Sequence, residues 1–280
     1  MIIIKLSTKK QIQLLNQIEN EKVDNKKLIV YYLGQSGYVL KTNNTIIYID
    51  PYLSDYVSHP SGLNDKEMVR NYPPPFLPSE IEKLDAVFCT HSHVDHMDPW
   101  TIQNINADFN LYCSIGAYDQ SPVKYPIANT VFLEPGKKVM VNDFIIEPIS
   151  AAHYQLKDKQ GRPDCLSFMI EYHNKTLFFW GDGIIYNGLI ERLIQKKFDY
   201  FFAPINGRDK LREQQGIVGN LKARELAELC RILHIKKVIP NHYDMFKNNT
   251  ESIEYFYECI HKICPNQNTL VMNCRDKIEA

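Results

Sequence analysis

The sequence predicts a single α+β domain built in layers, and three observations carry that expectation. Strand-like apolar runs recur a dozen times, whereas helix-period patterns are fewer and gather late in the chain. No period of about 20–50 residues recurs and no linker divides the 280 residues, a length suited to one large domain. Apolar residues at 44% and charged residues at 23% fit a chain that buries a core.

Residues 8–22 place Ile12, Leu15 and Ile18 at helical spacing behind Thr8 as N-cap, so residues 1–26 read as a helical N-terminal extension. Strands follow at 28–33, 37–42 and 45–50, the last two joined by Asn43 and Asn44, which tolerate hairpin turn conformations. Residues 51–81 are rich in Pro and Ser and include three consecutive prolines, which predicts a long surface loop. Its Tyr52, Tyr56 and Tyr72 either form a lid or pack the loop onto the domain. The run 85–90 reads as a buried strand, with a short helix after Pro99. Further strand patterns lie at 110–114, 130–133, 138–141, 144–150, 167–172, 176–182, 200–205 and 237–240. Helices are predicted near 187–197, 220–234 and 250–263, where Leu221, Leu226, Leu229 and Leu233 form an apolar stripe in the middle one.

Thirty-two basic against thirty-three acidic side chains leave a net charge of −1, so the chain lacks the overall positive field of a general nucleic-acid binder. The only apolar run near the start, Ile2–Ile4, is cut off by Lys5; this predicts neither a secretory signal nor a membrane span, and hence a cytoplasmic protein. Seven cysteines without a CxxC pair read as reduced, mostly buried thiols.

The chemistry is concentrated in residues 91–96. His91, His93, Asp95 and His96 put four metal-ligand types into six residues at a strand end. On an extended segment, His91 and His93 point to one side and can grip one ion, while Asp95 and His96, past the bend, can serve a second. His153, Asp182 and His242 each follow a predicted strand. Taken singly, each is more often a hydrogen-bonded histidine or a turn aspartate. As a set of seven they suffice for two bridged divalent ions, a known hydrolytic unit. His59, His173, His234 and His261 stay with the ordinary reading.

HSHVDH followed by His153, the Gly-Asp of FFWGDG and His242 resembles the metallo-β-lactamase superfamily across roughly residues 28–245. That resemblance implies a four-layer αβ/βα sandwich of two mainly antiparallel sheets flanked by helices, spanning 1–280 as one domain. It implies two divalent ions: His91, His93 and His153 on the first, Asp95, His96 and His242 on the second, Asp182 between them, and Asp95 also steadying the catalytic water. Within the superfamily, IDPYLSD, THSHVDHMDP, AAH, APINGR and VIPNHYDMF look most like the L-ascorbate-6-phosphate lactonase branch. The branch implies manganese and assembly into higher oligomers; histidine-rich ligation favours zinc, and iron is also acceptable to such a set. A glyoxalase II relative needs a helical domain after the last ligand, and 280 − 242 = 38 residues are too few.

The resulting expectation is a metal-dependent hydrolase that opens a lactone or ester of a phosphorylated, sugar-like small molecule with a metal-held hydroxide. A phosphodiesterase or nuclease on the same ions, and a metal-binding module without turnover, are the alternatives. Arg208, three residues past the 200–205 strand, is the candidate for a phosphate fork, with Arg162 as a second cation and Arg212, Lys159 and Lys210 nearby. Tyr154 and Asn206 are candidate hydrogen-bonding groups for a hydroxylated substrate.

Overall fold

Alternation within the first strand decides where the layers lie. A computed structural model describes residues 9–280 apart from 25 and 124. In strand β1 (Ile29–Gly34), Val30 and Tyr32 face one buried layer, whereas Tyr31 and Leu33 face another. Period two in a strand buried on both faces produces this split.

The first sheet runs β13-β1-β2-β3-β4-β5-β6, with β2 (Gly37–Lys41), β3 (Ile46–Ile49), β4 (Ala86–Phe88), β5 (Asn110–Cys113), β6 (Thr130–Phe132) and β13 (Lys277–Glu279). The second runs β12-β11-β10-β9-β8-β7, with β7 (Val139–Val141), β8 (Phe144–Ala151), β9 (Cys165–Tyr172), β10 (Lys175–Phe179), β11 (Lys197–Pro204) and β12 (His234–Asn241). Both sheets are mixed, in keeping with the expected sandwich: β13-β1-β2-β3 and β10-β9-β8-β7 pair antiparallel, and β3-β4-β5-β6 and β10-β11-β12 are parallel stretches. Strands β4, β5, β6, β11 and β12 are each reached by a crossover too long for a hairpin, so each re-enters the sheet in the same direction as its neighbour.

Three apolar clusters make the layers. The central one joins Tyr32, Tyr38, Ile47 and Phe88 of the first sheet to Phe168, Phe179, Phe202 and Ile239 of the second. Outside the first sheet, α1 (Lys9–Asn20), α2 (Pro99–Asn104) and α3 (Ile115–Gln120) pack on Tyr48, Val87 and Leu111. Outside the second, α4 (Leu189–Leu193), α6 (Ala223–Ile232) and α7 (Ile253–Ile263) cover Phe178, Phe201 and Val238. A short α5 (Lys210–Gln214) follows β11 with no buried residue of its own.

The expected N-terminal extension is part of the fold. Leu14, Leu15 and Ile18 of α1 enter the core, while Ile12, placed on the apolar stripe by spacing, is 50% exposed; the proposed cap Thr8 lies outside the described residues. Residues 51–81 carry one 3-10 turn (Pro78–Glu80) and are otherwise irregular, yet they are pinned. Arg70 donates to the carbonyls of Tyr52, Ser54 and Tyr72 and lies over the Tyr52 ring, and the Tyr72 hydroxyl donates to Asp244. Tyr52 is buried against Phe246, and Tyr56 packs on Trp100. All seven cysteines are free.

Candidate metal centre

Four strand ends build the centre. His91 comes three residues after β4, and the turn that follows is closed by the His96 and Met97 amides, both donating to the His93 carbonyl, before Asp98 caps α2. His153 follows β8, Asp182 follows β10 and His242 follows β12. Asp182 stands between two glycines that the packing demands. At Gly181 (φ 68°) a Cβ would approach Thr90 to 2.8 Å, and at Gly183 (φ 148°) it would meet the Ala152 carbonyl oxygen at 2.9 Å. His242 itself is left-handed (φ 57°), held by its amide donating to the Gln35 carbonyl at 2.9 Å.

Ligand-type atoms of His91, His93, His153 and Asp182 lie within 4.8 Å of one another, as do those of Asp95, His96 and His242. All seven residues singled out from the sequence are therefore gathered, in two groups. Asp182 adjoins both: its carboxylate oxygens are 4.0 Å from His91 Nε2 and 3.8 Å from His153 Nε2, and 3.3 Å from both His96 Nε2 and His242 Nε2. Asp95 Oδ2 is 3.4 Å from His242 Nε2 and 3.8 Å from His96 Nε2. Donors about 2.0–2.2 Å from a tetrahedral ion stand roughly 3.3–3.6 Å apart, close to the separations seen here.

A second observation tests the fit. Nε2 of His91 and His96, both ring nitrogens of His153 and Oδ1 of Asp182 are buried with no hydrogen-bond partner. Leaving that many buried polar atoms unpaired costs about 1–3 kcal/mol each, and bound metal would satisfy most of them, one nitrogen per imidazole. The residues present therefore fit a metal centre.

Electrostatics divide the groups. Burial pushes the His91 and His93 imidazoles down, and neighbouring imidazoles add to this; burial likewise carries His153 down to about 3. These rings are neutral ligands in waiting. Burial also opposes charge on His96 and His242, but the carboxylates around them overrule it: Asp182, Asp50 and Asp95 hold His96 well above its usual value, and Asp182 and Asp95 hold His242 up at about 9. Reciprocally, burial would raise Asp95 and Asp182, and the His96 and His242 charges hold both below the ordinary carboxylate range.

Two supporting residues escaped the sequence reading. Asp50, fully buried, pairs with His96 Nδ1 at 2.7 Å and accepts from the Thr90 amide and hydroxyl, which keeps a proton on His96 Nδ1 and turns Nε2 to the centre. The signal was there, for Asp50 closes an apolar run much as Asp182 does. Gln35, in the β1–β2 turn, donates to Asp95 Oδ2 at 2.7 Å; only its position next to a glycine hinted at a special backbone.

The candidate substrate groups are placed differently. Arg208 forks onto both carboxylate oxygens of Glu225, 2.7 Å each, and donates to the Asn220 carbonyl. The fork expected to grip a phosphate is here taken up by an acidic partner from α6, 17 residues away. Arg162 is tied to Asp158 and Asp119, and Arg212 to Asp209 and the Asn206 carbonyl. Asn206 is fully buried and spends its amide on Asn249 and Asn220. Asn220 in turn accepts from the Gly183 amide at 2.8 Å, linking this chain of amides to the Asp182 turn. Tyr154, 43% exposed next to His153, donates to Glu213 of α5.

Two mixed sheets between helical layers, with a His/Asp centre where their strand ends meet, define a layered αβ/βα metal-site domain. The model of the beta-lactamase superfamily domain matches residues 45–243, and the chain belongs to that family. A metal-dependent hydrolase of Caldivirga maquilingensis is 24% identical over 250 residues, covering 88% of this chain and 95% of the relative. Among solved structures, the isothiocyanate hydrolase from Delia radicum gut bacteria superposes with a TM-score of 0.68 at 16% identity over 89% of this chain and 98% of that one. The metallo-beta-lactamase fold protein YhfI from Bacillus subtilis gives 0.64 at 15% identity, over 91% and 99%. At such identities the structural likeness speaks to fold alone. Among the described residues no helix is long and apolar enough to cross a membrane.

Proposed function

We propose that this metal-dependent hydrolase of the metallo-β-lactamase fold cleaves an ester or lactone carbonyl in a small molecule, with two divalent ions in the centre. His91, His93 and His153 hold one ion, Asp95, His96 and His242 the other, and Asp182 stands between. Such ions, when bound, lower the pKa of water and polarise a carbonyl. The chain's own part is to keep Nε2 of His91, His96, His153 and His242 turned toward Asp182, as Asp50 does for His96, and to keep Asp182 fixed by the Gly181–Gly183 turn.

The observation that carries the carbonyl reading is the state of the arginines. Arg208, Arg162 and Arg212 each spend guanidinium donors on protein carboxylates, so none offers the open fork that a phosphodiester or a phosphate handle needs. The lactonase resemblance is therefore kept in its bond type and dropped in its phosphate. Exposed Tyr154 and Leu156 follow His153, and Leu211 projects from α5, which Tyr154 contacts; this rim favours an uncharged substrate.

The test is a hydrolysis panel on Mn²⁺- and Zn²⁺-loaded protein: p-nitrophenyl esters, neutral lactones, a sugar-phosphate lactone and bis(p-nitrophenyl) phosphate. Neutral esters or lactones are expected to be turned over, with activity lost on chelation and a phosphate giving no advantage. Turnover of the phosphodiester alone would reject the reading in favour of phosphoryl transfer.

A further inference from the structure

Gln35 is a buried amide, 1% exposed, directed at two of the three groups assigned to the second ion. Its Nε2 is 2.7 Å from Asp95 Oδ2, 2.9 Å from His242 Nε2 and 3.5 Å from His242 Nδ1. A partner on the Nε2 lone pair would stand much farther from Nδ1, across the ring, so the amide lies beside the imidazole and leaves that lone pair open. Its N–H is then spent on Asp95, whose Oδ2 also lies 3.8 Å from His96 Nε2 and 3.4 Å from His242 Nε2.

The backbone that carries Gln35 is itself fixed. Its residue is left-handed (φ 56°), and its carbonyl accepts from the Tyr32 hydroxyl and from the His242 amide, 2.9 Å each. The β1–β2 turn thus holds Asp95 by a side chain and His242 by the main chain. In the first group, Nε2 of His91 and of His153 has no hydrogen-bond partner among the described residues.

We infer that Gln35 is a positioning residue for the second ion alone, orienting Asp95 and His242 so that this position forms, while the first position forms without it. The inference rests on the two-ion reading above. A donor that orients a ligating carboxylate is typically worth 10–100-fold in metal affinity, and here that effect falls on one of two steps.

The experiment titrates metal-free protein with Mn²⁺, followed by calorimetry and by the exchange-coupled electron paramagnetic resonance signal of a manganese pair, for wild type, Gln35→Met and Gln35→Asn. Met keeps the length without a donor; Asn keeps an amide, suits a left-handed residue, and falls short of Asp95. The expected result is two steps in wild type, with the second weakened by about 10–100-fold in both variants, the first unchanged, and the coupled signal appearing only at higher Mn²⁺. Equal weakening of both steps would mean a general structural role and overturn the inference, as would two unchanged steps. A single ion in wild type at saturation would take down the two-ion reading and this inference together, whereas two unchanged steps would leave that reading standing.

Discussion

The floor of the site and its rim satisfy their polar groups on opposite terms. On the floor, four histidine or aspartate residues bury atoms with no hydrogen-bond partner, although strongly basic and acidic neighbours lie 3.3–4.0 Å away. On the rim, Arg208, Arg162, Arg212 and Tyr154 are all matched with carboxylates. The contrast teaches that a charged residue beside a pocket is weak evidence for a ligand, whereas a cluster of buried, unmet donors and acceptors is strong evidence, because a protein pays for such atoms only if something else completes them.

The comparison breaks most visibly at Asp182. Asp182→Ala is expected to lower turnover by about 10³-fold or more and to reduce bound metal to one ion or none by elemental analysis, with far-ultraviolet circular dichroism unchanged. His173→Ala, on an exposed turn, should do neither; an equal loss there would show that the floor has been misassigned. Asp50→Asn keeps shape at a left-handed position (φ 44°) and removes the charge facing His96 Nδ1. Metal affinity should fall by about 10–100-fold, read by competition with a chelator.

A finer division within the floor concerns protons. In metal-free protein His242 is held up at about 9 and His96 well above its usual value, so an ion at that position must displace a proton from each, and affinity there should climb more steeply than tenfold per pH unit through neutral pH. His153, carried down to about 3, is already neutral, so the first position should be nearly flat above about pH 5. Identical pH slopes for the two steps would erase the distinction. The smallest effect is expected at the rim. Arg208→Ala should leave KM for a neutral ester within about twofold and cost about 1–3 kcal/mol in chemical denaturation, because half-buried Glu225 loses its partner. A large rise in KM with unchanged stability would put Arg208 back on the substrate.

Legibility followed distance along the chain. The floor was readable because HSHVDH crowds four ligand types into six residues and the other three close apolar runs; the structure gathers all seven. Each of the twelve predicted strand runs holds a strand, since hydrophobic period is a local property. What escaped depends on partners remote in sequence: parallel pairing, set by crossovers; Gln35, 60 residues from Asp95; and the Glu225 that closes Arg208. The three-residue β13 has too little sequence to show a period, and α3 and α5 are single short turns of helix whose caps, Ser114 and Asp209, were visible only as polar residues.

Strand β13 also sets a schedule. It pairs with β1, Ile29 opposite Glu279, and so joins nearly opposite ends of the chain. During synthesis, at about 5–20 residues per second, the outer edge of β1 waits on the order of ten to fifty seconds for its neighbour to leave the ribosome. Through that interval a buried-type, apolar strand presents open amides and carbonyls to any other nascent chain. Expression at low temperature or with a chaperone that shields strand edges should therefore raise soluble yield more than changes near the metal-binding end of the sheets.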